Sequence, residues 1–311
     1  MIYIGKRFMT LVITLFILSF INFFAFSLLP GDASVARLGL NATPERVEEI
    51  KEEMGLNDSL PVRYKNWLFS AIRGDFGESI QYKGVSVKIL LAGGIVVTVF
   101  LAAVSFLIII MFGMTLGILA AKNPNGWLDR LISGSGRMVM AIPPFFLGIL
   151  LTFIFGIILK WFTPGVFVYP WVDFTKSLSY ILFPALAISL PKVAMVVRYL
   201  RAAVIREKKK DYVRTAYSKG LSNNQVYMKH ILKNALLPVI TFIGIMVSEI
   251  IAGSIVVEQV FSLPGLGRLL VSAISNRDYP VIQGIVLFMA MVVILINFIV
   301  DLLYKWIDPR I

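Results

Sequence analysis

The run between Lys88 and Lys122 contains 33 consecutive residues without a charged side chain. A helix that crosses the hydrocarbon of a bilayer needs about 20 mostly apolar residues, so this run is longer than one span requires. Charged residues make up 15% of the whole chain, compared with roughly 25% in soluble domains. A soluble fold of this composition would expose large apolar patches, so the sequence predicts an integral membrane protein.

Six segments are long and apolar enough to span a membrane, and none has the alternating pattern of a membrane β-barrel. The sequence therefore predicts an all-α polytopic protein with six transmembrane helices. These spans are residues 8–29, 89–121, 138–159, 177–197, 234–257 and 279–300.

The first span, residues 8–29, has a cleaved signal peptide as its alternative interpretation. Its 22 residues exceed the roughly 7–15 apolar residues usual in a signal peptide, which favours an uncleaved helix. The chain then divides into an N-terminal transmembrane helix (1–29), an extracytoplasmic loop region (30–88) and a core of five helices (89–311).

The net charge of +12 agrees with one orientation of the six spans. If both termini are cytoplasmic, the cytoplasmic pieces hold 17 Lys and Arg against 5 Asp and Glu. The outer pieces then hold 12 of each, so the whole excess lies on one face, as the positive-inside rule requires. This explains the basic charge without a nucleic-acid partner, and it places the polar segment 198–233 in the cytoplasm.

The outer loop predicts two helices. Thr43 is suited to an N-cap and Pro44 to the first helical position, with Gly55 as a possible end. A second, amphipathic helix follows within residues 61–77. Two interpretations stay open: a small cap packed on the membrane face, or a docking surface for an extracytoplasmic partner.

The residues of hydrolytic and redox chemistry are scarce. The chain has no Cys and one His, which excludes disulfides and thiol catalysis and disfavours a histidine metal site. It contains no GxxxxGK[ST] loop to cradle ATP phosphates and no nucleophile–base pairing. We therefore expect no catalytic residue, metal or cofactor in this chain.

Lys192 and Glu249 are the ionisable residues within the predicted spans. A charge at the bilayer centre costs about 2.5–3.5 kcal/mol on insertion scales, which marks both, with the adjacent Pro191, as candidates for lining a translocation path. The alternative is that Lys192 reaches the cytoplasmic face and Glu249 lies near an interface. Four prolines predict interruptions of the spans, either as packing kinks or as hinges: Pro143, Pro144, Pro184 and Pro191.

The polar segment between the fourth and fifth spans has the features of a folded unit. Ser222 to Gln225 reads SNNQ, a capping box that begins a helix near Asn223. Gly220 suits a turn with positive φ, which predicts helix, turn and helix. Ala216 and Gly220 would leave a shallow surface for a partner protein, whereas the lysines at 208–210 fit contact with lipid headgroups.

Five stretches have the character of family motifs. They are GLNDSLPVRYKNWL (55–68), GDFGESI (74–80), DYVRTAYSKGLSNNQVYMKHILKNALLP (211–238), FSLPGLGRLLVSAISNRDYPVIQG (261–284) and DLLYKWIDPRI (301–311). Residues 211–238 resemble the cytoplasmic signature loop of the permeases of ABC importers. Together the stretches most closely resemble the B-type subunits of the dipeptide, oligopeptide and nickel branch of that family.

The resemblance implies a type I ABC importer permease fold in the plasma (inner) membrane of a bacterium. It implies as partners a second permease subunit, two separate ATPase subunits and an extracytoplasmic substrate-binding protein. It leaves open whether the cargo is a dipeptide, an oligopeptide, a glutathione-like compound or a metal chelate.

The resemblance also implies that a coupling helix in segment 198–233 contacts an ATPase. Arg214 stands where the family usually has Glu, and Thr215 stands where it has Ala. An ATPase-independent secondary transporter or channel is the alternative, but it would not account for a polar helix–turn–helix. The candidate contact residues are Arg214, Thr215, Ala216, Gly220, Leu221, Ser222 and Gln225.

Overall fold

The structure, a computed structural model, describes residues 2–28, 43–53 and 57–307. Within these ranges it is helical apart from turns, loops and one isolated bridge between Glu78 and Ser86. Five of its helices are long and apolar enough to cross a membrane, and a bent pair makes a sixth span if its two halves are taken together. The expectation of an all-α polytopic chain is confirmed.

The helices have the following bounds. The first half of the chain contains α1 (Ile2–Ser27), α2 (Pro44–Glu53), α3 (Leu60–Ile72), α4 (Val87–Ile108), α5 (Met114–Lys122), α6 (Trp127–Met140) and α7 (Pro144–Leu151). The second half contains α8 (Phe174–Glu207), α9 (Asp211–Ser218), α10 (Asn223–Gln225), α11 (Lys233–Val260), α12 (Leu266–Ser275) and α13 (Tyr279–Ile307). Three π-helical segments continue α4, α7 and α10 respectively: Ile109–Gly113, Thr152–Ile158 and Val226–Leu232.

One compact unit comprises Met1–Val96 and Gly265–Leu295. In it α1 packs on α3 through aromatic rings, with the Phe23 ring centroid 5.5 Å from that of Trp67. The hydroxyls of Ser19 and Tyr64 are hydrogen-bonded at 2.8 Å. The second helix of the predicted outer loop is therefore present, and it packs on the first span. The first predicted helix of the outer loop corresponds to α2, which begins at Pro44 as expected. Its predicted end, Gly55, lies outside the described residues.

A second unit comprises Val97–Pro264 and Ile296–Ile311 and is built around α8. The stripe of small residues on α5 and the segment before it lets the backbones approach closely. A Cβ added to Gly113 would lie 2.9 Å from Val196 Cγ1, and one added to Gly117 would lie 2.8 Å from Leu200 Cδ2. Small residues at such positions are typical of close helix packing in membranes.

The prolines do not act alike. At Pro143 and Pro144 the third predicted span breaks, and α6 and α7 meet at 98°. Two consecutive prolines remove two backbone donors and force the preceding residue out of the helical region. Pro184 and Pro191 instead lie inside the continuous α8, where both are buried, so the expectation that they interrupt the fourth span is wrong. Neighbouring helices accommodate a single proline in a packed helix.

Candidate functional site

The polar segment forms the turn that its sequence predicts. After α9 ends at Ser218, Gly220 adopts φ +77°, a conformation that side chains other than glycine disfavour. Ser222 then caps α10. Its Oγ accepts a hydrogen bond from the Gln225 amide at 3.4 Å, and its own amide donates to Gln225 Oε1 at 3.1 Å. The capping box at Ser222–Gln225 is confirmed.

Buried side chains fix this turn to the body of its unit. Val213 on α9 and Val226 and Tyr227 after α10 belong to the unit's hydrophobic core. The Tyr227 hydroxyl also donates a 3.1 Å hydrogen bond to the Ile118 carbonyl on α5. The turn is therefore a rigid extension of the helical core rather than a loose linker.

The lysines before α9 have a structural role that the sequence analysis did not identify. Lys208 Nζ donates to the carbonyl oxygens of Ala121 and Lys122 at 2.9 and 3.0 Å, capping the C-terminus of α5. Burial lowers the pKa of this ammonium group. Lys210 Nζ lies 2.6 Å from Glu207 Oε1. The prediction of mainly lipid contact for 208–210 is therefore wrong for Lys208, which is half-buried against its own chain.

Glu207 also ties α8 to α9. The Tyr212 hydroxyl donates to its carboxylate at 2.6 Å. Burial, and then this hydrogen bond, raise the pKa of Tyr212. Glu207 therefore binds one residue just before α9, Lys210, and one residue within its first turn, Tyr212.

The candidate contact residues divide by exposure. Leu221 is half-buried. Ala216 is buried in the core of its own unit, so its prediction as part of an exposed surface is wrong: it holds α9 in place. The exposed members are Arg214, Thr215, Gly220, Ser222 and Gln225.

Lys192 on α8 and Glu249 on α11, 57 positions apart in sequence, form an ion pair. Lys192 Nζ lies 2.7 Å from Glu249 Oε2, and the exposed fractions of the two side chains are 13% and 52%. Beside Glu249, Ser248 Oγ lies 3.3 Å from Asn297 Oδ1. Pro191 is buried, which fits packing between helices rather than path lining.

Three further carboxylates were not identified from the sequence. Asp129 on α6 is 3% exposed and receives Arg201 Nε at 2.6 Å and Nη2 at 2.8 Å. Glu258 was assigned to the outer side, beyond the predicted end of the fifth span. Instead α11 continues to Val260, and Glu258 is fully buried and accepts a 2.7 Å hydrogen bond from Thr98 Oγ1.

The third carboxylate, Asp278, lies in the other unit and is buried. It accepts hydrogen bonds from the Ser79 hydroxyl and from the amides of Ile80 and Gln81 at 3.1 and 3.2 Å. Within the described ranges, no three metal-ligating His, Cys, Asp or Glu side chains are grouped. Each of the three carboxylates accepts hydrogen bonds from elements distant in sequence or from the turn beside it.

Two family descriptions match most of the chain. Residues 113–311 match the inner membrane component of binding-protein-dependent transport systems, and residues 1–82 match the N-terminal part of such membrane components. The chain belongs to this family. It is a permease subunit of an ABC importer and not itself an enzyme.

Individual relatives agree with this assignment. The chain is 35% identical to the probable peptide ABC transporter permease protein y4tP of Sinorhizobium fredii, over 100% of this chain and 99% of that protein. It is also 35% identical to the oligopeptide transport system permease protein AppB of Bacillus subtilis, over 99% of this chain and 98% of AppB.

A solved structure shows the same fold. A chain of the MetNI methionine ABC transporter, in an inward-facing conformation, matches with a TM-score of 0.58 at 17% identity. The match covers 70% of this chain and 96% of the MetNI chain. The expectation of a type I ABC importer permease fold is confirmed. The alternative of an ATPase-independent transporter or channel is excluded by the family.

Proposed function

We propose that this chain translocates di- or oligopeptides across the plasma membrane of a bacterium, with both of its termini in the cytoplasm. In this proposal it forms the path with a second permease subunit and receives cargo from an extracytoplasmic binding protein. Two ATPase subunits drive it. The family description supports the binding protein, and the names of y4tP and AppB support the peptide cargo.

The observation that carries the coupling part of the proposal is the rigid turn between α9 and α10. Its inner side is anchored by core residues, while Arg214, Thr215 and Gln225 are exposed on its outer side. A partner that pushes on this surface moves α8 and α11 with it, because no flexible linker absorbs the motion. We infer that an ATPase subunit contacts this outer side.

Gly220 provides a direct test of this contact. Among the described residues other than its two chain neighbours, no atom lies within 4 Å of a Cβ added there, so the space beside it is open to a partner. Asn tolerates positive φ better than other side chains, so Gly220→Asn should leave the fold intact. We expect peptide uptake by the assembled transporter to fall at least about tenfold, a loss of about 1.4 kcal/mol in coupling, with less ATPase co-purifying.

Gly84→Asn is the matched control. Gly84 has φ +75°, and no atom of the described residues beyond its two chain neighbours lies within 4 Å of an added Cβ, but it lies far from the turn in sequence. We expect normal uptake from this variant. Normal uptake and ATPase recovery with Gly220→Asn would disprove the close contact. If the unaltered chain co-purifies with no ATPase, the proposal that two ATPase subunits drive it is disproved.

We also propose that the surface bearing Lys192 and Glu249 faces the path or the second permease subunit. A half-exposed carboxylate facing hydrocarbon would be strongly disfavoured, and intramembrane charges almost always face the bundle interior or a water-filled cavity. The neighbouring Ser248 and Asn297 add polar groups near the same position of α11. Exchanging the two charges tests this placement.

The cargo is tested with the cognate binding protein. Uptake of a labelled dipeptide is measured in competition with a pentapeptide, glutathione and a nickel chelate. We expect the two peptides to compete and the nickel chelate to have no effect. Competition by the chelate or glutathione alone would contradict a peptide cargo while leaving the coupling proposal untouched.

A further inference from the structure

A cavity of about 450 Å³ lies between α6 and α8, within the unit built around α8. Its size falls in the range of roughly 300–1,000 Å³ typical of small-molecule sites. Apolar side chains form much of its wall, among them Ile132, Met140 and Val197. A ligand that fills it must therefore have a substantial apolar part.

Three arginines complete the wall: Arg137, Arg198 and Arg201. Arg201 is engaged with Asp129. Neither Arg137 nor Arg198 forms an ion pair with any side chain of the described part of the chain. Both are exposed, so two guanidinium groups are available beside an apolar hollow. Guanidinium groups bind phosphate through paired, charge-assisted hydrogen bonds.

The two available arginines also lie at the ends of apolar runs. Arg137 is the last charged residue before the uncharged run 138–159, and Arg198 follows the run 193–197 on α8. Arg198 precedes the end of α8 by nine residues, about 14 Å along the axis, and α8 leads directly into the polar segment. Basic residues at the ends of apolar runs are expected at the headgroup level of one leaflet.

We propose that this cavity is a binding site for an anionic phospholipid of the leaflet on the side of the α9–α10 turn. Arg137 and Arg198 bind the headgroup phosphate, and the apolar wall between α6 and α8 accepts the upper part of an acyl chain. Charge complementarity selects the anionic headgroup, and the apolar wall selects a lipid over a free anion. The site does not depend on the cargo or on the ATPase contact.

The test measures lipid binding to the purified full-length chain by native mass spectrometry. The probes are phosphatidylglycerol, cardiolipin, phosphatidylcholine and inorganic phosphate. We expect saturable binding of the two anionic lipids and none of phosphatidylcholine. Arg137→Gln with Arg198→Gln should weaken binding roughly thirtyfold, from about a factor of five for each basic residue at a membrane surface.

A charge-matched control separates a site from general attraction. Lys122→Gln with Arg130→Gln removes two exposed basic side chains outside the cavity and should leave the affinity within about twofold of the unaltered chain. Ala202→Phe fills the exposed edge of the cavity while keeping every charge, and it should also abolish saturable binding.

Three results would overturn the proposal. Equal loss of affinity in both double variants would show only general electrostatics. Displacement of lipid by millimolar inorganic phosphate, or Arg-dependent binding of phosphate alone, would indicate an anion site. Displacement by a peptide with a free carboxylate would assign the cavity to the translocation path.

Discussion

The ion pair between Asp129 and Arg201 provides the sharpest test of how α6 is held on α8. The Asp129 carboxylate accepts four hydrogen bonds: two from Arg201, one from the Asn125 amide at 2.6 Å and one from Ser133 Oγ at 3.0 Å. Asn125 has φ +66°, so the same carboxylate also stabilises a strained turn before α6. We expect Arg201→Met to destabilise the chain by more than Asp129→Asn does.

The magnitude follows from the burial of each partner. Removing one member of a fully buried pair costs about 3–5 kcal/mol, because the other charge is left buried. Arg201 is 27% exposed and Asp129 keeps two other donors, so we expect about 3 kcal/mol for Arg201→Met. Asp129→Asn leaves a partly solvated arginine, and we expect about 2 kcal/mol. The double variant should cost about 3 kcal/mol rather than the additive 5, a coupling of about 2 kcal/mol.

The assay is reversible unfolding in mixed detergent micelles, followed by tryptophan fluorescence, for all four members of the cycle. Lys176→Met breaks an ion pair on the same helix, in which Lys176 is 74% exposed, and should cost less than about 1 kcal/mol. Additive single effects, or a cost for Arg201→Met no larger than that of this control, would refute the reasoning.

Two further changes probe the other charged groups. Lys192→Met and Glu249→Gln should each lower peptide uptake about thirtyfold at equal expression, because each leaves one intramembrane charge unpaired at a cost of about 2 kcal/mol. The exchange variant Lys192→Glu with Glu249→Lys should restore uptake, and uptake unaffected by either single change would contradict a path-facing pair. Asp278→Ala should lower the free energy of unfolding by about 3 kcal/mol, because three donors, including the Ser79 hydroxyl, lose their acceptor. Thermal denaturation tests this. A melting temperature within 1 °C of that of the unaltered chain, roughly the shift expected for a few tenths of a kcal/mol, would contradict the prediction.

The polar turn was predictable because its determinants are local. A capping box needs only Ser222 and Gln225 three positions apart, and the turn needs one glycine at position 220. Tyr227 and Ile231, four positions apart in the helix that follows, are both buried. What the local pattern did not show was the direction of α9, which turns Ala216 towards the core.

The charged and polar pairs between helices were not predictable, because their partners are distant in sequence. Asp129 and Arg201 lie 72 positions apart, and Thr98 and Glu258 lie 160 positions apart. No periodicity relates residues on helices that meet through tertiary packing. Glu258 was also placed outside the fifth span, because hydropathy gives no reason to extend a span past a second charge, whereas the helix continues to Val260 and buries that charge.

The length of the π-helical segment Ile109–Gly113 determines which face of the following helix, α5, points towards α8. A helix turns by about 100° per residue, so one residue inserted or deleted in this segment would carry Gly117 about 100° away from Leu200. A bulkier side chain would then occupy the contact. The exposed residues of this stretch, Met111 and Phe112, can therefore be substituted far more readily than the stretch can change in length. The insertions and deletions that it tolerates best are those that restore a whole turn, three or four residues at a time.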